Sequence, residues 1–158
     1  MSFSMRRTDR EITDRDEIYK MLYRCTTVSL GFHDSDYPYV VPMTFGCALE
    51  EGKICVYFHC AGEGRKLELL KKDSRVCVEG HVYERVEETE GGITARYESV
   101  IGTGTAVRLE DKAEKVKALR VILEHYQSSG FPVTSCKGLL SVEVYRIVLD
   151  AVSGKRNL

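Results

Sequence analysis

Apolar positions fall into two kinds of pattern along the chain, and each predicts its own elements. Ile18, Met21 and Leu22 recur at helical spacing and predict a first helix over residues 14–24. Thr13 and Asp16 stand before it at the spacing of a capping box, with Asp in the place of Glu. Val116, Leu119, Ile122, Leu123 and Tyr126 form the apolar face of a longer helix within "DKAEKVKALRVILEHYQ". Leu67, Leu69 and Leu70 predict a short helix that opens after Gly64 and ends near "KKDS".

The other apolar stretches are short, β-branched or alternating. "CTTVSLGF" predicts a strand, and "HDSDYP" after it is dense in turn formers. "YVVPMTFGCAL", the turn "EEGK" and "KICVYFH" read as an antiparallel hairpin. "RVCVEGHVYERVEE" and "TARYESVIGTGTAVRLE" are two long strands around the polar loop "TEGG", and Gly102 and Gly104 within the second imply a bulge or a barrel corner. A loop, "SSGFPVTSCKG", leads to the last strand, "LLSVEVYRIVLDAV", and a polar tail, "SGKRNL". The result is a mainly β chain with six or so antiparallel strands and about three flanking helices. Regular βαβ alternation is missing, which argues against a doubly wound parallel sheet. An antiparallel barrel with helices packed outside fits better. The strands around "VYFHC" and "YVVPMTF" are apolar on both faces, so each is expected to be covered twice, by the barrel core and by a partner subunit.

Composition narrows the class without changing the fold. The 158 residues suit one domain, residues 1–158, that buries about 70% of its unfolded surface. With a net charge of −1 the chain has no global attraction to nucleic acid or to an anionic membrane. Neither a membrane-length apolar run nor an apolar segment after the arginines of "MSFSMRRTDREITDRDE" is present, so a cytoplasmic location is expected. Cys25, Cys47, Cys55, Cys60, Cys77 and Cys136 include no C-x-x-C pair, which disfavours a zinc site. Most sit in apolar runs and are expected to be reduced, small hydrophobes.

The chemistry is concentrated in "YFHCAGEGRKLELLKK", residues 57–72. Here two cations, Arg65 and Lys66, open a helix whose dipole disfavours positive charge at that end. Ala61 to Gly64 permit close backbone approach and leave helix-terminal amides free, which together make a seat for an anion such as phosphate. Arg65 could clamp phosphate oxygens and Lys66 could add a point charge. Spacing alone leaves a second reading open, in which both are solvated side chains beside Glu63 and Glu68. His33, His81 and His125 have no partner at a telling spacing and read as structural or solvated.

"MRRTDREI", "YPYVVPMTFG", "VYFHCAGEGRK" with "VCVEG", and "YESVIGTGTA" occur in that order. Together, over about residues 5–155, they resemble the Nim-type nitroimidazole-resistance proteins, within the FMN-binding split-barrel group that includes pyridoxamine 5′-phosphate oxidase. The resemblance implies a six-stranded antiparallel split β-barrel that is a homodimer with FMN between its subunits. It also implies that Arg65 and Lys66 hold the FMN phosphate. Val41, Pro42, Met43 and Thr44 would run along the isoalloxazine, and His59, Cys60 and Ala61 would line the flavin pocket. Tyr97, Glu98, Ser99 and Val100 would approach from the other subunit. His59 matches the family's pocket histidine, a candidate catalytic group because imidazole titrates near neutrality.

Two functions follow from the resemblance. One is a flavin-dependent reductase of nitroaromatic or other small acceptors, with the cofactor carrying the redox chemistry. The other is a flavin- or heme-binding carrier or redox sensor without turnover. The sequence has no pyridine-nucleotide fingerprint, and it lacks the full substrate-phosphate motif set of a true pyridoxamine phosphate oxidase.

Overall fold

Eight strands form one antiparallel sheet in the computed structural model, which describes residues 4–158. The leader reading begins in residues 1–3, which lie outside the described residues. In chain order the elements are β1 (Glu11–Ile12), α1 (Arg15–Arg24), β2 (Val28–Phe32), β3 (Tyr39–Met43), β4 (Gly46–Glu50), β5 (Lys53–Cys60), α2 (Arg65–Lys72), β6 (Arg75–Thr89), β7 (Gly92–Arg108), α3 (Lys112–His125), α4 (Lys137–Ser141) and β8 (Glu143–Asn157). The strand order is β3-β2-β6-β7-β8-β5-β4, with β1 added on β8. β3 and β4 end the path without pairing with each other, so the sheet curls but does not close.

The expectation of six strands and three helices is corrected in three places. The run 39–49 is two strands, because the chain turns at Thr44–Phe45. Phe45 is fully buried, and its amide donates to the Tyr126 hydroxyl of α3 at 3.1 Å in place of a ladder bond. Leu139 and Leu140 belong to the short α4 rather than to the last strand. The "polar tail" is the second half of β8, with Ser153 to Asn157 paired against Ile101 to Tyr97 of β7. Backbone pairing makes that strand, so side-chain polarity gave no sign of it. The α1 cap is also shifted by one residue: the Asp14 carboxylate, not Thr13, accepts from the Glu17 amide at 2.8 Å.

Two cores follow from the curl. Inside the sheet and against α1 lie Leu22, Leu30, Phe45, Phe58, Val78 and Ile147, all essentially inaccessible. Phe58 stacks on Tyr145 with ring centroids 5.2 Å apart. Outside, α3 sets Ala118, Leu119 and Ile122 on Cys55 and Tyr57 of β5 and Val144 of β8. The second cover of β5 is therefore the chain's own helix, which corrects the expectation that a partner subunit supplies it. β3 differs: Val41 and Met43 pack toward the core, while Val40 is 60% exposed.

The six cysteines are free. Burial pushes the thiols up to about 11 for Cys25, about 12 for Cys47 and about 11 for Cys55. Thiol titration in denaturant without reductant should count all six, and the native protein should hide these three. A denatured count of two or fewer would contradict free thiols.

Candidate functional site

β5 ends at Cys60, the chain turns through Ala61 to Gly64, and α2 begins at Arg65. Gly64 is the N-cap with φ +134, a backbone conformation that an L side chain rarely adopts. The Leu67 and Glu68 amides already bond the Gly64 carbonyl. The amides of Arg65 and Lys66 lie in the first turn, where helical bonding leaves donors free. Gly62 and Gly64 face open space, with nothing within 4 Å of a hypothetical Cβ. An anion can approach these amides without displacing protein atoms.

The two cations behave differently. Arg65 donates Nε to Asp34 Oδ2 at 3.1 Å, and its Nη2 makes a closer ion pair with the same oxygen. Its guanidinium also lies over the Tyr39 ring, 5.5 Å from the centroid. Lys66 is half-buried and forms no ion pair among the described residues. It lies close enough to His59 and Cys60 for its charge to act on both.

His59 shares the outer face of β5 with Tyr57, opposite Val144 on β8. Its Nδ1 is buried without a hydrogen-bond partner. Burial, and then the Lys66 charge, lower the imidazole's pKa below its ordinary value. The folded protein therefore favours neutral His59, while the unfolded chain binds the proton near its ordinary pKa. Stability contributed by His59 is present above that value and is lost as pH falls through the depressed one. His59→Gln should accordingly flatten the fall in melting temperature as pH drops below the ordinary imidazole pKa of about 6.5. An unchanged slope would contradict the placement.

Cys60 packs toward the inner core beside that histidine. The β4–β5 register sets Gly46 opposite Tyr57, and the chain leaves that ladder at Thr44–Phe45. Tyr39, at the start of β3, contacts Arg65. The segment Tyr39 to Thr44 thus runs from the cationic end of the site toward the start of β4. Pro42 and Thr44 are exposed along it, while Val41 and Met43 point inward and offer only backbone.

The β7 residues lie away from the β5 end of the site. Arg108 of β7 pairs with Tyr145 of β8, next to the β5 end, and Ser99 lies nine residues back along the strand. That separation is roughly 30 Å at about 3.4 Å per residue. Tyr97 and Ser99 face outward, but Val100 is a core residue, 2% exposed. Glu98 also points inward, where Arg24 of α1 donates from Nε at 2.9 Å and Arg156 of β8 at 2.6 Å. It ties helix to sheet and is not available to a ligand.

Sequence reasoning missed Asp34 and Tyr39. "HDSDYP" signals a turn, and only the fold shows that one of its acids faces Arg65. His125 is structural, with Nε2 2.8 Å from the Cys25 carbonyl oxygen and Phe45 and Tyr126 against its ring. A groove of about 840 Å³ adjoins the Tyr39 to Thr44 segment on the outer face of β2, β3, β6 and β7, and is lined by Gly31, Val40, Cys77 and Thr103 among others. Asp34 lies on its edge, yet none of the predicted site residues does. Size alone does not make it the site, because its walls bring together no comparable set of free amides, unpaired cation and orphaned imidazole.

Residues 14–156 match the family model described as pyridoxamine 5′-phosphate oxidase. No curated protein sequence matches the chain. Among solved structures, a candidate 5-nitroimidazole antibiotic resistance protein from Bacteroides thetaiotaomicron is 29% identical with a TM-score of 0.81, over 92% of this chain and 85% of that one. An FAD- and heme-binding protein from Mycobacterium smegmatis is 17% identical with a TM-score of 0.77, over 94% and 73%. An FAD-binding protein from Mesorhizobium loti is 22% identical with a TM-score of 0.66, over 94% and 98%. The last two show the shared fold.

Proposed function

The chain belongs to the pyridoxamine 5′-phosphate oxidase family, and on that premise we propose that it is an FMN-binding oxidoreductase. Its acceptors are small molecules of the nitroaromatic kind, and it works as a cytoplasmic homodimer of single-domain subunits. The observation that carries the reading is the unpaired Lys66 at the head of α2, beside the orphaned Nδ1 of His59. A phosphate suits the free amides and the ammonium, and a polar ring edge suits the imidazole. The 29% identical nitroimidazole-resistance relative supports the acceptor class.

Bound flavin supplies the two-electron chemistry. Lys66 and the first-turn amides would bind the phosphate, and Gly62 to Gly64 would let it reach the backbone. Pro42 of β3 and Thr44 just after it would line the ring. His59, held neutral by burial and by Lys66, could hold a proton for an acceptor.

A second copy completes this arrangement. Tyr97 and Ser99 would reach the ring from that second copy. The outward face with Val40 and the 840 Å³ groove is open to receive that chain. Sedimentation should show a dimer, and a monomer that binds flavin tightly would refute it.

The decisive test is titration with FMN and with riboflavin, which has the same ring and no phosphate. Lys66→Ala should weaken FMN binding by roughly 1.5–3 kcal/mol and leave riboflavin nearly indifferent. Equal losses for both would end the phosphate assignment. Mixing the chemically reduced flavoprotein with a nitroimidazole without oxygen should restore the oxidised flavin spectrum. Failure to do so would make the protein a carrier.

A further inference from the structure

The Asp34–Arg65 pair sits at the edge of the anion seat and has no part in the function proposed above. Its two side chains differ in freedom. Asp34 is 11% exposed at its side chain and Arg65 59%. Asp34 Oδ1 also accepts from the Ser35 amide at 2.8 Å, which fixes the carboxylate in its loop. Its bond from Arg65 holds the carboxyl below the usual range, so it is ionised at neutral pH. An incoming anion that drew Arg65 away would leave the half-buried Asp34 carboxylate without its cation, facing the ligand's like charge. Arg65 must keep Nε and Nη2 on Asp34 and offer the ligand only the rest of its fork.

The charge count then changes. Arg65, Lys66 and Asp34 sum to one positive charge rather than two, while Glu63 and Glu68 nearby are exposed and screened. We propose that Asp34 is a charge filter on the phosphate seat, lowering its affinity for a doubly charged phosphate monoester more than for a singly charged phosphodiester. This rests on the reading of Arg65 and Lys66 as a flavin-phosphate seat. Repulsion between a fixed carboxylate and the ligand scales with ligand charge, so its effect on the logarithm of affinity doubles from monoanion to dianion. Asparagine keeps one acceptor oxygen, which can stay on Arg65 at the expense of the Ser35 amide bond, and removes the charge, so Asp34→Asn tests the charge with Arg65 still held.

FMN, riboflavin 4′,5′-cyclic phosphate and riboflavin supply a dianion, a singly charged diester and an uncharged side chain for the test. Asp34→Asn should bind FMN roughly tenfold more tightly and the cyclic phosphodiester about threefold, with riboflavin unchanged, as expected for a solvent-screened charge across one guanidinium. Asp34→Ala should gain less with FMN, because it also releases Arg65. Each gain is taken against the wild type with the same flavin, so differences in ligand bulk cancel. Unchanged or weaker FMN binding by Asp34→Asn would overturn the proposal, and so would equal gains for all three flavins. Lys66→Ala separates the two levels of failure. If it weakens FMN selectively while Asp34→Asn does nothing, only the filter falls. If the wild type shows no preference for FMN over riboflavin and Lys66→Ala has no effect, the phosphate seat falls and the filter with it.

Discussion

Gly104→Val should leave little folded protein. A Cβ at this position would stand 2.2 Å from the Val148 carbonyl oxygen and 3.1 Å from its carbon, both backbone atoms of the neighbouring strand. The β7–β8 register shifts between Thr103 and Gly104, so the two backbones approach more closely here than in a regular ladder. Overpacking a core ordinarily costs about 1–3 kcal/mol because side chains move aside. Here no side chain can yield, and the loss should exceed about 3 kcal/mol, a large part of a typical domain's 5–15. Gly102→Ala is the control. Its Cβ would meet the flexible end of Leu149 at 2.8 Å, which can rotate away, so the loss should stay below about 1.5 kcal/mol. Urea denaturation of both variants checks this, and comparable stability for Gly104→Val and wild type would refute the account of the bulge.

Glu98→Ala should be the next most damaging change. Glu98 is 4% exposed and receives Arg24 from α1 and Arg156 from β8, and Arg156 also reaches Glu17 at 3.3 Å. Removing one partner of a buried pair typically costs about 3–5 kcal/mol. Arg24 and Arg156 keep 45% and 26% of their side chains in solvent, so part of that is screened. A loss of roughly 2–3 kcal/mol is expected, with Glu98→Gln losing less because it still accepts from one arginine. Denaturant midpoints at low and high salt would decide: an unchanged midpoint at both would show that the network does not hold α1 to the sheet.

Much of the fold was written in local pattern. The stripes at Ile18, Met21, Leu22 and at Val116, Leu119, Ile122 give α1 and α3, because a helix on a sheet must bury one face. Gly102 and Gly104 foretold the irregularity in β7. Less legible were features that depend on pairing rather than on residue type. The 153–157 strand is polar and exists because β7 supplies hydrogen bonds to it. The break at Thr44–Phe45 depends on a hydroxyl 81 residues away.

The site divides along the same line. Its turn, its helix start, its cations and its histidine lie within sixteen consecutive residues, and local chemistry sufficed to single them out. The sequence by itself determined which residue types stand at the head of α2 and that an anion suits them, because the backbone conformation of a glycine turn and the free amides of a helix end are local properties. Only the tertiary structure decided their state. It paired Arg65 with Asp34, 31 residues away, and left Lys66 beside His59. It turned Glu98 and Val100 inward and set Tyr97 and Ser99 at the far end of β7. It also covered β5 with α3. Charge pairing and burial depend on distance in space, which the order of residues does not carry until the sheet has curled.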